Sequence, residues 1–320
     1  MSHSLFRITE TSFHEVRAFT MESNKVKLVM LPDQGASIVS LQYKPTAKEW
    51  LVQSPHQAVV RQTNYGDDFS EAVMHGYDEC FPTINVCNYP VEGKYEGALL
   101  PDHGEVWSIP WAASVVNNKL VTTVAGQALP YSLEREIAFV TDSCLRFNYT
   151  VTSKAEEELA LFWCAHPLFT ATDYTRIHIP KDAADMLCVV GGKRYNANQT
   201  YTFTNDNLDK RGIAINQVAP VTTEDSRKFY IDQPYEDGQA ALVEENTGEY
   251  LQMNWDSKQL PYFGLWINEG HYNKQRMVAL EPCNGYYDNL ALAYEREQTL
   301  LLPAGRAATW SYTIEFGEQK

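Results

Sequence analysis

The 320-residue chain is 44% hydrophobic and 21% charged, a balance that supports a buried core without covalent staples and excludes global disorder. Its net charge of -15 argues against a nucleic-acid or anionic-membrane surface, because both need clustered Lys and Arg. No stretch is apolar enough for a signal peptide or a membrane span, so a cytoplasmic protein acting on a neutral small molecule is expected.

Period-two patterning, with turn residues between, marks strand candidates in chain order at KVKLVML (25–31), ASIVSLQY (36–43), SLEREIAFV (132–140), CLRFNYTVT (144–152) and ELALFW (158–163). It continues at EYLQMNW (249–255), YFGLWI (262–267), MVALE (277–281), QTLLL (298–302) and TWSYTIEF (309–316). In the fourth of these Leu145, Phe147, Tyr149 and Val151 share one face, and in the last Trp310, Tyr312, Ile314 and Phe316 do so. No long segment holds a helical period, no repeat is visible and no linker divides the chain. An all-β fold is expected, with residues 1–320 forming one domain of two large antiparallel sheets packed face to face. The cysteines, at 80, 87, 144, 164, 188 and 283, form no CxxC pair and read as reduced, mostly buried thiols.

Three segments place an ionisable group beside a backbone constraint. In ALLPDHGEVW, Pro101 and Gly104 bracket Asp102 and His103. Proline fixes one dihedral and glycine frees another, so the loop presents His103 at a set angle, although a hydrogen-bonded turn histidine would look the same. In LALFWCAHPLF a hydrophobic strand stops at His166 and Pro167, which puts an imidazole at a sheet end among aromatics, as a tuned proton carrier or as a core histidine. In MVALEPCNGYYDNL, Met277, Ala279 and Glu281 fall on one face, Val278 and Leu280 on the other. A carboxylate on such an apolar strand is costly unless it is used in chemistry or held in a structural ion pair.

The DHG loop, the AHP strand end and the LEP strand end, in this order, resemble the aldose 1-epimerase (galactose mutarotase) superfamily. The resemblance extends from LVMLPDQGASIVSLQY, similar to the family's opening hairpin, to LLLPAGRAATWSYTIEF, similar to its closing strands. It implies a galactose-mutarotase-like supersandwich that interconverts the α and β anomers of an aldose without a cofactor. By motif position it implies Glu281 as the base that takes the anomeric hydroxyl proton, His166 as the acid that protonates the ring oxygen, and His103 as a second histidine that holds the substrate. No metal is expected, since His103, His166 and Glu281 lack any local ligand spacing.

The chain departs from the well-studied galactose mutarotases at two places. Where they carry an Arg before the first histidine, it has GYDECFPTINV with Asp78 and Glu79. For the Asp they carry between the second histidine and the glutamate, Asp225 and Asp232 are the candidates. Asp78, Glu79 and Asp102 are candidate partners for sugar hydroxyls, and Trp107 and Trp266 candidate stacking faces. The charged runs in YEREQ and RKFY read as solvated faces. Two alternatives stay open: a hexose-phosphate mutarotase with Arg61, Lys94 and Arg135 as phosphate ligands, and a non-catalytic sugar-binding protein of the same fold.

Overall fold

The alternating segments become strands in the computed structural model, which describes residues 6–53, 63–72, 74–181, 183 and 185–319. Among them are Val26–Leu31, Ser37–Tyr43, Tyr131–Thr141, Cys144–Ser153, Glu249–Trp255, Tyr262–Glu269, Arg276–Cys283 and Ala307–Glu318. Among the described residues two large sheets dominate, one of thirteen strands and one of eight, and their ladders are antiparallel. Among the described residues the α-helices are the short Phe69–Ala72 and Leu290–Glu295, and no helix there is long and apolar enough to cross a membrane. All six cysteines are unpaired, and five are buried.

Side-chain alternation decides what each sheet buries. In the eight-stranded sheet Phe147 lies opposite Tyr312 and Tyr149 opposite Trp310, with ring centroids 4.8 and 5.6 Å apart. Such cross-strand aromatic pairs each contribute roughly 0.2–1 kcal/mol. The thirteen-stranded sheet turns Tyr77, Glu79, Val278 and Leu280 inward, where Tyr77 hydrogen-bonds Tyr312 across the gap. Asp78, Cys80, Ala279 and Glu281 therefore face the other way, and the cleft described below opens on that outer face.

The segment ELALFW is not one strand. Leu159–Leu161 pairs with Leu300–Leu302 in a separate two-stranded sheet. The Trp163 N–H then donates to the Asn284 side chain instead of a ladder partner. Released in this way, the chain enters the large sheet as the new strand Cys164–Pro167. The strand Asp225–Ile231 escapes the sequence reading, because the adjacent charges Arg227 and Lys228 mask its alternation.

Candidate active site

Five neighbouring strands of the large sheet run in the order Tyr77–Cys80, Cys164–Pro167, Arg276–Cys283, Tyr262–Glu269 and Asp225–Ile231, and the last four contribute lining residues to the cleft. Asp78 pairs with His166, and Cys80, Cys164 and Cys283 form one row across three strands. Glu281 pairs with Gly264, which pairs with Tyr230. A Cβ on Gly264 would sit 2.7 Å from Glu281 Oε2, so the missing side chain is the space the carboxylate occupies. Lys228 lies two residues from Tyr230 and opposite Trp266, which puts its ammonium on the same face.

The DHG turn brings in the second histidine. His103 has φ 56° and Gly104 φ 75°, and a Cβ on Gly104 would lie 2.1 Å from the Phe81 carbonyl oxygen. Only glycine fits there. His103 stacks on Phe69 with centroids 4.1 Å apart, and its ring lies 4.8 Å from that of His166. Asp102 approaches His103 Nδ1 at 3.1 Å, poorly aligned for a hydrogen bond, and accepts the Phe69 N–H at 2.9 Å. Burial works against the Asp102 charge, but these contacts, led by His103, overcome it and hold the carboxyl below its usual range.

Glu281 is fully buried and His166 is 6% exposed; Glu281 Oε1 lies 4.0 Å from His166 Nε2. Among the described residues neither Glu281 oxygen nor His166 Nδ1 has a hydrogen-bond partner. Lys228 Nζ lies 3.1 Å from Glu281 Oε2 and 3.1 Å from Asp288 Oδ1, and Asp288 Oδ1 also accepts the Tyr230 hydroxyl. Burial raises the Glu281 pKa, with Lys228 opposing the rise. Burial, reinforced by the charges of His103 and Lys228, pushes His166 well below its ordinary value. Burial also works against the Lys228 charge, but Asp288 and Glu281 overcome it and strengthen its hold on its proton.

The structure brings His103, His166, Glu281 and Trp266 to one cleft of about 730 Å³, open to solvent and also lined by Phe69, Lys228, Tyr272 and Asp288. Asp78 sits on the same sheet face beside His166, outside the lining, and Asp102 acts through His103 and Phe69.

Other expectations are overturned. Glu79 points into the layer between the sheets, where Oε1 accepts from Arg135 Nη1 at 2.9 Å and Tyr149 at 2.8 Å, and Oε2 from Trp163 Nε1 at 2.8 Å. It has no route to a sugar, and Arg135, fully buried against it, has none to a phosphate. Trp107 is fully buried behind Phe69, with its indole N–H donating to the Asp102 carbonyl; it supports the site and offers no stacking face. Asp225 is occupied by the N–H groups of Lys193 and Ser226, and Asp232 is exposed in a separate hollow with Tyr262. The carboxylate beside Glu281 is instead Asp288, from the later NGYYDNL segment. Arg227 and Lys228 are no solvated face: both are buried, Arg227 against Glu269 and Lys228 against Glu281. Lys94 is exposed on a surface loop, and Arg61 lies outside the described residues.

No protein-family model matches the sequence, and no curated protein matches it significantly. Solved structures do match the fold. The Slr1438 protein of Synechocystis superposes with a TM-score of 0.73 at 14% identity, covering 97% of this chain and 100% of its own. A galactose mutarotase-like protein from Clostridium acetobutylicum gives 0.69 at 12% identity, covering 98% and 99%. Another from Lactobacillus casei gives 0.62 at 16% identity, covering 94% and 100%. At these identities the likeness is one of fold, and the mutarotase-like all-β supersandwich expected from the motifs is the fold this chain has.

Proposed function

We propose that the protein interconverts the α and β anomers of a neutral aldose by general acid/base ring opening, with Glu281 and His166 as the proton carriers. The observation that supports this most is the pair itself. The two groups are buried and face each other at 4.0 Å in a solvent-open cleft, and among the described residues Glu281 Oε1 and His166 Nδ1 have no hydrogen-bond partner. A positioned acid or base works over about 2.6–3.2 Å, so two such groups 4.0 Å apart reach two oxygens on one carbon, as the anomeric hydroxyl and ring oxygen are.

The dyad exchanges one proton through the sugar. In ring opening, protonated His166 delivers a proton to the ring oxygen as the C1–O5 bond breaks, while ionised Glu281 takes the anomeric hydroxyl proton. An aldehyde remains, and the dyad becomes neutral His166 with protonated Glu281. After rotation about the C1–C2 bond, Glu281 returns its proton to the carbonyl oxygen, the O5 hydroxyl attacks either face, and His166 recovers its proton. The raised Glu281 and lowered His166 favour the second form in the free cleft, and Lys228 beside Glu281 keeps the ionised form within reach. His103, set by Asp102 and Phe69, holds the sugar near the ring oxygen, and Trp266 offers an apolar face.

A sugar phosphate fits less well. Among the described lining residues the fixed cation is Lys228, and two carboxylates already neutralise it. Exchange NMR on a panel of aldoses and aldose phosphates tests the proposal. Anomer exchange faster than in buffer for at least one neutral aldose is expected, and lost in Glu281→Gln. An unaccelerated panel, or a Glu281→Gln protein as fast as the parent, sinks it.

A further inference from the structure

The sequence contains no local ligand spacing, yet the fold assembles donors from three distant segments. Cys80 ends the strand beside Cys164–Pro167, pairs with Cys164 and shares its sheet face with His166. His103 arrives from the DHG turn. One ligand atom from each of Cys80, His103 and His166 lies within 4.8 Å of the other two. From these positions we propose that Cys80, His103 and His166 form a three-donor site for Zn²⁺, with His103 and His166 in the cleft lining and Cys80 buried beneath them.

Three observations carry it. Tetrahedral zinc with Zn–S near 2.3 Å and Zn–N near 2.0–2.1 Å places its donors about 3.3–3.7 Å apart, so the cluster closes on an ion with side-chain shifts of about 1 Å. His166 Nδ1 is buried without a hydrogen-bond partner, on a side chain 7% exposed, an arrangement that costs about 1–3 kcal/mol unless something binds there. Asp102 sits against His103 Nδ1 at 3.1 Å, so a small turn of the ring would align the carboxylate–histidine hydrogen bond that orients metal-bound imidazoles. One thiolate with two imidazoles suits a borderline ion such as Zn²⁺. On binding, the Cys80 S–H bond breaks, its proton leaves to solvent, an S–Zn bond forms, and nothing is oxidised or reduced. Burial keeps the Cys80 thiol protonated otherwise, and Lys228, the nearby cation, is already paired with Glu281 and Asp288.

Binding stands on the geometry alone. Its consequence rests on the anomer-exchange reading: an imidazole that donates its lone pair to a metal cannot carry a second proton, so Zn²⁺ switches off His166 as an acid.

The test titrates reduced, metal-free protein with Co²⁺, followed by its thiolate charge-transfer and visible ligand-field bands. One equivalent should saturate both, Zn²⁺ should displace the cobalt, and Cys80→Ser should lose the thiolate band and weaken binding more than about tenfold. Cys80→Ala serves the same comparison if the serine variant does not fold. Zn²⁺ should stop anomer exchange in the parent, a chelator should restore it, and Cys80→Ser should exchange anomers normally at Zn²⁺ levels that silence the parent. No saturable band, or a thiolate band unchanged in both Cys80 variants, overturns the site whether or not the protein moves anomers. A cobalt site whose occupation leaves anomer exchange untouched overturns the inhibition alone.

Discussion

Glu79 and Glu281 stand two strands apart in one sheet, both fully buried and both beside a cation, yet they face opposite sides and end in opposite conditions. The Glu79 carboxylate accepts from Arg135, Tyr149 and Trp163, so both oxygens are committed. The Glu281 carboxylate touches Lys228 as an ion pair and has no aligned donor among the described residues. Burial raises the pKa of both. Burial and a charged neighbour therefore do not separate a structural acid from a chemical one; uncommitted lone pairs facing a cleft do. The saturated pair joins the sheets, and the unsaturated one faces the cleft.

The sharpest way to break that contrast is to neutralise each side in turn. Glu281→Gln preserves shape and removes the base, so anomer exchange above the buffer rate should fall by about a hundredfold to ten-thousandfold. Its urea unfolding midpoint should fall less than that of a variant that breaks the core pair, because Asp288 still neutralises Lys228. Arg135→Leu should do the reverse: it strands Glu79 as an uncompensated buried charge and costs about 3–5 kcal/mol of stability, while the folded fraction keeps its exchange rate. If Arg135→Leu abolishes exchange at full stability, the core pair is part of the site after all.

A milder variant sharpens the comparison from within the cleft. Gly264→Ala places a methyl group 2.7 Å from Glu281 Oε2 and 2.9 Å from Tyr230 Cε1. Overpacking of this kind costs about 1–3 kcal/mol, and a carboxylate displaced by about 1 Å loses up to a hundredfold in rate. Stability by urea and rate by exchange NMR should fall together. An unchanged rate would show that the position of Glu281 is not critical.

How much of this was legible in the sequence follows from where the constraints lie. His103, His166 and Glu281 stand beside Gly104, Pro167 and Pro282, so each is flagged by a backbone reason as well as by its chemistry. Strands with one polar face declared themselves by alternation. Glu79 was readable and misread: adjacent strand residues point to opposite faces, so Asp78 and Glu79 cannot both line one cleft. Lys228 was hidden because Arg227 beside it is also buried against its own carboxylate, and two adjacent charges in a strand look like a solvated edge. Phe69 and Asp288 come from a one-turn helix and a loop, where no periodicity points at anything.

The smallest effect separates two tryptophans of equal promise in sequence. Trp107 is fully buried and packs edge-on against Phe69 at 5.2 Å; Trp266 lines the cleft, 5.8 Å from Tyr272. Phe69, which lines the cleft, in turn stacks on His103, so Trp107 reaches the cleft only through the Phe69 ring. Trp107→Phe removes the hydrogen bond to the Asp102 carbonyl and should lower stability by about 1 kcal/mol with sugar affinity unchanged. Trp266→Phe gives up part of an aromatic face and should leave the unfolding midpoint in place. It should weaken sugar binding by about 0.5–1.5 kcal/mol, roughly twofold to tenfold in Kd by calorimetry. Half-buried and fully buried aromatics would then divide as Glu281 and Glu79 do, by what remains uncommitted at the cleft. If Trp107→Phe weakens sugar binding more than Trp266→Phe does, the sugar sits deeper than this cleft allows, and the assignment of Trp266 as its stacking face is wrong.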